Sequence, residues 1–239
     1  MLPENEVERI LVVTAHPDDV DFGAGGTVAS WTEAGKSVSY CIVTDGQAGG
    51  NDREVPRSQM PTIRRAEQVA AGAALGVTDI RFLGYVDGEL TVTHDLRRDI
   101  SRVIRQVRPQ RMLVQSPERN WTRIFASHPD HLAAGEAALQ AIYPDARNPF
   151  AHTSLLADEQ LEPWTVQEVW IMAASEFDHY VDVTDQMDRK IAALEAHASQ
   201  TAHMEDLRGF VSTWLSRNAE AAGWPEGRFA EAFKVITTA

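Results

Sequence analysis

The sequence contains a single cysteine, Cys41, among its 239 residues. One cysteine excludes an intrachain disulfide and a cluster of thiolate metal ligands. Cys41 lies within the apolar run from Val38 to Val43, where a cysteine is usually a small buried packing residue. We therefore expect it to be structural rather than nucleophilic.

Basic residues are also scarce, because 22 lysines and arginines are set against 35 aspartates and glutamates, which gives a net charge of −13. Nucleic acids and anionic membrane surfaces bind basic proteins, so we expect neither as a partner. The sequence has no apolar run of membrane-spanning length, and its acidic start lacks the pattern of a signal peptide. These absences predict a cytoplasmic protein that acts on a small molecule.

Short apolar segments alternate with segments of helical character along most of the chain. The predicted strands cover residues 10–13, 37–43, 79–83, 111–115, 166–173, 180–183 and 230–236. The predicted helices cover residues 27–34, 63–75, 96–107, 184–198 and 203–214, and a further helix begins at Pro129. Alternation with short connections is typical of a parallel sheet with helices on both faces. The sequence therefore predicts one α/β domain over residues 1–239, a Rossmann-like, doubly wound and mostly parallel sheet.

A dinucleotide-binding fingerprint is missing after the first predicted strand. That fingerprint requires G-x-G-x-x-G directly after the strand, whereas Gly23, Gly25 and Gly26 come later and with different spacing. We expect these glycines to precede the first helix, which we place at residues 27–34, and to let it pack closely on the strand. A nicotinamide-dependent function is therefore disfavoured.

The first strand instead ends in the motif Ala15-His16-Pro17-Asp18-Asp19. Ligands bind at the carboxyl ends of the strands in open α/β sheets, and adjacent carboxylates repel unless a cation or hydrogen-bond donors offset the repulsion. One interpretation is therefore a metal site. The other is a polar turn in which Asp18 or Asp19 caps the next helix.

A second polar motif, His128-Pro129-Asp130-His131, follows the long polar segment 116–127. Pro129 suits the first turn of a helix, and residues three apart such as His128 and His131 can face the same side of it. Two imidazoles and a carboxylate with an open position form a catalytic zinc site, and the same set also suits non-haem Fe(II). Ligand type alone leaves both metals open.

These two motifs resemble those of the PIG-L/LmbE superfamily of zinc-dependent N-acetylglucosaminyl deacetylases. The supporting segments are Thr44-Asp45-Gly46, Arg64-Arg65-Ala66-Glu67, Leu75-Gly76, residues 83–90 and His197-Ala198-Ser199-Gln200, so the resemblance extends to about residue 200. It implies hydrolysis of the acetyl–nitrogen bond of an N-acetylated amino sugar or glycoconjugate. Some branches of the superfamily form oligomers, so a homo-oligomer is compatible with the resemblance.

The resemblance also implies a role for each polar residue of the two motifs. His16, Asp19 and His131 would bind Zn²⁺, with Fe²⁺ as an alternative at the same site. Asp18 would be the general base, His128 would stabilise the oxyanion or act as general acid, and Asp130 would orient His128. We place Arg64 and Asp45 at the substrate, and His197 is a further residue to test.

Three alternatives to the deacetylase interpretation remain. The same site could serve an amidase of a thiol conjugate or of a secondary metabolite. A non-haem Fe(II) oxygenase could use the same two histidines and one aspartate, although its usual scaffold is a β-barrel and Asp18 would then have no role. A glycan-binding module with an inactive metal site is disfavoured by the presence of both Asp18 and His128.

Overall fold

A seven-stranded sheet forms the centre of the computed structural model, which describes residues 1–50 and 52–238. The strands are β1 (Arg9–Thr14), β2 (Ser37–Thr44), β3 (Asp79–Tyr85), β4 (Arg111–Gln115), β5 (Glu168–Met172), β6 (His179–Asp182) and β7 (Ala230–Thr237). Their order across the sheet is β3-β2-β1-β4-β5-β7-β6. Strands β1 to β5 are parallel, whereas β7 is antiparallel to both β5 and β6.

Helices cover both faces of this sheet. They are α1 (Asp19–Glu33), α2 (Met60–Ala74), α3 (His94–Val107), α4 (Pro129–Gln140), α5 (Thr153–Ala157), α6 (Met187–Ala196), α7 (Ala198–Thr201) and α8 (Leu207–Ala221). Alternate residues of β1 point to opposite faces, so that Leu11 packs in the core with α3 and α4 while Val12 packs in the core with α1 and α2. The predicted doubly wound, mostly parallel α/β fold is confirmed.

The first helix begins earlier than the sequence predicts. Helix α1 starts at Asp19 and contains Gly23, Gly25 and Gly26, so the predicted start at residue 27 is wrong. A Cβ atom on Gly23 would lie 2.5 Å from Sδ of Met172, and one on Gly26 would lie 2.6 Å from Cβ of Val183. Tertiary packing against these neighbours outweighs the low helix propensity of glycine, and it brings α1 directly onto the end of β1.

The second half of the chain shows three further differences. Strand β7 was predicted, but its antiparallel place between β5 and β6 was not. The segment 143–163, in which the sequence predicts no strand or helix, contains α5. The predicted helix 203–214 is observed as α8, further along the chain. No helix in the described part of the chain is long and apolar enough to cross a membrane.

Cys41 lies on β2 and is completely buried. Burial raises the pKa of its thiol to about 12, because the thiolate would lose its hydration. A thiol of this kind is not a nucleophile at neutral pH, which agrees with the structural role expected from the sequence.

Candidate metal centre

Both polar motifs lie at the carboxyl ends of adjacent parallel strands. His16 follows β1, and the segment 116–127 leads from the end of β4 to His131 on the first turn of α4. The ring centroids of His16 and His131 are 5.2 Å apart although the residues are separated by 115 positions. Parallel pairing of β1 with β4 therefore brings the two motifs together.

Three side chains that can bind a metal converge within this cluster. Nδ1 of His16 lies 3.3 Å from Nε2 of His131. One carboxylate oxygen of Asp19 lies 3.4 Å from Nδ1 of His16, and its other oxygen lies 3.0 Å from Nε2 of His131. Ligands around a tetrahedral zinc ion, at about 2.0–2.1 Å from the metal, are about 3.3 Å from one another. The three side chains thus have the spacing of a metal-binding face.

The other ring nitrogen of His16 faces two carboxylates. Nε2 lies 2.9 Å from Asp87 and 3.2 Å from Asp130, and the Asp130 carboxylate also accepts hydrogen bonds from the backbone N–H groups of Gly88 and Leu90. A histidine that binds a metal through one nitrogen commonly donates the other N–H to a carboxylate in this way. Asp87, which lies in the segment 83–90 that supports the family resemblance, is therefore a close partner of His16.

The carboxylates around His16 give the site a strong preference for positive charge. Burial lowers the pKa of His16, but Asp19, Asp130 and Asp87 outweigh burial and raise it to about 12. Burial likewise opposes ionisation of Asp19, yet His131 and His16 hold the pKa of its carboxyl well below the usual range. A cluster that favours a protonated imidazole this strongly also favours a bound cation.

Among residues 1–50 and 52–238, two overlapping groups of side chains have ligand atoms close enough to share an ion, and both include His16. One contains His128 and His131, and the other contains Asp87 and Asp130. The second group is already satisfied, because the Asp130 carboxylate accepts two backbone hydrogen bonds besides the contact with His16. The first group, together with Asp19, is the better fit to a divalent metal, since the two facing ring nitrogens of His16 and His131 need a shared cation or proton between them.

Asp18 stands beside this face in an uncommon backbone conformation. Its φ of 90° lies in the left-handed region, which costs a residue other than glycine on the order of 1–3 kcal/mol. Nη2 of Arg64 contacts the Asp18 carboxylate at 3.0 Å and donates to the carbonyl oxygen of Pro17. Burial raises the pKa of the Asp18 carboxyl to about 6, although Arg64 opposes the increase.

A buried hydrogen-bond network holds residue 18 from the other side. Oε1 of Gln68 accepts from the backbone N–H of Asp18 at 2.9 Å, and Nε2 of Gln68 donates to Asp21 at 2.8 Å. The same oxygen of Asp21 lies 2.8 Å from Nε2 of His197. Gln68, Asp21 and His197 are all fully buried. Sequence reasoning singled out His197 by resemblance, but it missed Gln68 and Asp21.

His128 precedes α4 and caps it. Its Nδ1 accepts a hydrogen bond from the backbone N–H of Asp130 at 3.2 Å, so Nδ1 is unprotonated and the neutral ring carries its proton on Nε2. The backbone N–H of Asp130 thus contacts the His128 ring, whereas the Asp130 carboxylate contacts His16. The role of Asp130 in orienting His128 stays a prediction.

The two residues predicted to contact substrate are held by other parts of the protein. Arg64 is 3% exposed, and besides the contact with Asp18 its guanidinium donates to the carbonyl oxygen of Gly46 at 3.0 Å. The Asp45 carboxylate accepts two hydrogen bonds from Arg65, at 2.7 and 3.0 Å. Direct substrate contact by Arg64 and Asp45 stays a prediction. Residue 51 of the predicted loop 45–61 lies outside the described residues.

Comparison with known proteins identifies relatives along almost the whole chain. The PIG-L family model, described as GlcNAc-PI de-N-acetylase, matches residues 11–142. The diacetylchitobiose deacetylase of Thermococcus kodakarensis is 32% identical over 98% of this chain and 85% of that protein. A probable N-acetyl-alpha-D-glucosaminyl L-malate deacetylase 2 of Bacillus cereus is 33% identical over 90% of this chain and 91% of that protein.

A solved structure is similar over nearly the same extent. The structure of N,N'-diacetylchitobiose deacetylase from Pyrococcus horikoshii superposes with a TM-score of 0.89 and 28% sequence identity. The superposition covers 98% of this chain and 85% of that one. The fold and both polar motifs thus lie within the similar region.

Proposed function

The chain belongs to the PIG-L family, and from this premise we propose that it is a metal-dependent hydrolase of N-acetylated amino sugars. It would remove the acetyl group from the amide nitrogen of a small sugar or glycoconjugate. The observation that carries the proposal is the convergence of His16, Asp19 and His131 beside the partly buried carboxylate of Asp18. A metal-binding face next to a general base is the arrangement that amide hydrolysis by an activated water requires.

We assign the metal to His16, Asp19 and His131, and we propose zinc as the ion, with Fe²⁺ able to occupy the same donor set. When bound, the ion would polarise the amide carbonyl and lower the pKa of a water molecule to about 7. Asp87 and Asp130 support this assignment, because they hold Nε2 of His16 and leave Nδ1 for the metal. Their carboxylates would also strengthen His16 as a ligand.

Asp18 is proposed as the residue that moves the proton. Arg64 holds one of its carboxylate oxygens, which leaves the other to take the proton of the attacking water. The same carboxylic acid would then pass that proton to the departing amine. The contacts from Arg64 and Gln68 support this role, because they fix both the side chain and the backbone of Asp18.

His128 is proposed as a neutral hydrogen-bond donor to the oxyanion. Its Nδ1 accepts from the backbone, so the proton on Nε2 is available to stabilise negative charge on the amide oxygen. This assignment differs from a general acid, which would require protonation at Nδ1 and loss of the helix-capping hydrogen bond.

The proposal is tested by metal analysis of the purified protein together with release of free amine from a panel of N-acetylated sugars and thiol-conjugate amides. We expect a divalent metal and hydrolysis of at least one N-acetylated sugar. Exclusive hydrolysis of the thiol-conjugate amides would favour the alternative amidase function. A metal-free protein that releases no amine from any member of the panel would contradict both.

The role of Asp18 is tested by Asp18→Asn, since asparagine is tolerated in the left-handed region and keeps the side-chain volume. We expect the kcat to fall by about 10²–10⁴-fold, with metal content and thermal stability retained. Asp188→Asn provides the matched control, because that side chain is 89% exposed and remote from the motifs. Full activity of Asp18→Asn would refute the assignment.

A further inference from the structure

We propose that the N-acyl group of the substrate is accommodated in an apolar cavity next to the metal ligands, and that this cavity accepts acyl chains longer than acetyl. The inference rests on the proposed hydrolase function and specifies its substrate class. It is carried by the position, lining and size of a cavity that adjoins the proposed metal ligands and whose other walls lie outside the two polar motifs.

The cavity begins at the metal-binding face. Asp19 and His131 form its inner end, and its walls include Phe22, Met172 and Phe177. Apart from the two ligands, most of the surface that faces the cavity is aromatic or aliphatic. A sugar ring carries a hydroxyl on almost every carbon and would lose its hydration against such walls, whereas an alkyl chain would gain free energy there.

The positions of the proton-transfer groups indicate which side of the amide enters the cavity. Among the described residues, Asp19 and His131 line the cavity, and Asp18 and His128 do not. The departing nitrogen has to lie beside Asp18 to receive its proton. The acyl chain and the nitrogen are bonded to the carbonyl carbon in different directions. The acyl chain rather than the sugar therefore extends past Asp19 and His131 into the cavity.

The volume of the cavity exceeds what an acetyl group fills. It measures about 240 Å³, whereas the methyl of an acetyl group is about the size of one water molecule, whose share of the liquid is about 30 Å³. A dry cavity of about 150 Å³ is large enough to bind benzene. An alkyl chain of several methylene groups therefore fits where a methyl would leave most of the space empty.

The cavity also continues outwards. Phe22, Phe125 and Trp214 line it together with a second, wider cavity of about 730 Å³ beside α8. The guanidinium carbon of Arg123 lies over the rings of Phe125 and Trp214, at 4.9 and 5.6 Å from their centroids, so its charge is engaged with the faces of these rings. Phe125 is 73% exposed at this mouth, so a chain that outgrows the inner cavity meets further apolar surface.

The inference is tested with glucosamine N-acylated by acetyl, butanoyl, hexanoyl and octanoyl groups. We expect the kcat/KM of the metal-loaded enzyme to rise by up to about fourfold for each added methylene. A pocket shaped for acetyl alone would instead lose about 10- to 200-fold on the first methylene that does not fit. Such a loss, with the acetyl substrate still cleaved, would overturn the inference and leave the proposed function intact.

Phe125→Ala tests the outer wall, with Phe150→Ala as the matched control because Phe150 is 84% exposed and does not line the cavity. We expect Phe125→Ala to lower the ratio of the kcat/KM for the octanoyl substrate to that for the acetyl substrate by about tenfold. If the kcat/KM of Phe125→Ala depends on acyl-chain length as the wild-type value does, the inference is contradicted. A smaller assembly in sedimentation would then identify Phe125 as a subunit contact.

A binding measurement provides a readout that does not depend on turnover. Calorimetric titration of the metal-loaded protein with acetate and octanoate, the carboxylate products, should give a Kd for octanoate at least about tenfold lower than that for acetate. Equal affinities would overturn the inference. If no amide of the glucosamine series is cleaved, the two Kd values still test the inference, and the panel of N-acetylated sugars tests the proposed function separately.

Discussion

Replacement of Gln68 by alanine tests how the protein holds Asp18 in its left-handed conformation. The buried amide of Gln68 accepts from the backbone N–H of Asp18 and donates to Asp21, so alanine removes both hydrogen bonds at once. Arg64 still holds the Asp18 carboxylate, but the backbone is free to relax away from φ of 90°. We therefore expect Gln68→Ala to lower stability and to misplace the proposed general base.

The expected magnitudes follow from the two hydrogen bonds. An unpaired buried N–H costs about 1–3 kcal/mol, and a hydrogen bond to a charged group contributes about 1.5–3 kcal/mol. We expect the free energy of unfolding of Gln68→Ala to decrease by roughly 3–5 kcal/mol. A displacement of about 1 Å of a catalytic group costs about 10²-fold in rate, so we expect the kcat to fall by about that factor while the KM stays within about threefold.

Steady-state kinetics on the folded, metal-loaded fraction measures this loss of kcat. Gln106→Ala is the matched control, because Gln106 is an exposed helical glutamine that contacts Arg81. The decisive comparison is a double-mutant cycle with Asp18→Asn. If Gln68 acts through Asp18, Gln68→Ala causes no further loss of kcat once Asp18 is asparagine. An equal loss in both backgrounds, or a wild-type kcat for Gln68→Ala, would refute the reasoning.

Three further predictions concern the metal and the buried charges. His131→Ala should lose most of the bound metal in elemental analysis while remaining folded, and retention of one ion per chain would contradict the ligand assignment. Lys190 and Glu231 are fully buried and 2.7 Å apart, so Lys190→Met removes the cationic partner of the Glu231 carboxylate. The free energy of unfolding measured in urea should fall by about 3–5 kcal/mol, and a loss below about 1 kcal/mol would be inconsistent with a buried ion pair. Burial opposes ionisation of Asp145, but hydrogen bonds from Arg97 hold the pKa of its carboxyl below the usual range. The stabilisation by the ionised carboxylate is therefore complete above the unfolded pKa of about 3.9. It is lost as the pH falls through the lower folded pKa. Asp145→Asn should therefore be less stable than the wild type at pH 7 and nearly equal to it near pH 2, and a difference independent of pH would contradict this assignment.

The parts of the fold that depend on local pattern could be predicted. The run before His16 is apolar on both faces and is observed as β1, and the motif at its end lies at the carboxyl edge of the sheet as expected. The meeting of His16 with His131 follows from parallel topology alone, since both motifs follow strands. Local sequence was misleading at Gly23 and Gly26, because only the neighbours Met172 and Val183 explain why glycine is needed within a helix.

The support of the site could not be predicted, because its contacts join distant positions without a local signal. Gln68 lies 50 residues from Asp18, and His197 lies 176 residues from Asp21. A glutamine on an alanine-rich helix carries no pattern that distinguishes a buried support from a surface residue. The orientation of Asp130 depends on the angle at which α4 leaves the segment before it, which the sequence of α4 does not specify.

The position of β7 has a consequence for the order in which the protein folds during synthesis. Strands β5 and β6 leave the ribosome before β7, which pairs with both, so a nascent chain that ends before residue 230 has an open edge on β5. Strand β7 also carries Glu231, which accepts from the backbone N–H groups of Gly26 and Thr27 and from Lys190. Helix α1, which begins with Asp19, therefore gains these three hydrogen-bonded contacts around Glu231 only after β7 has been translated.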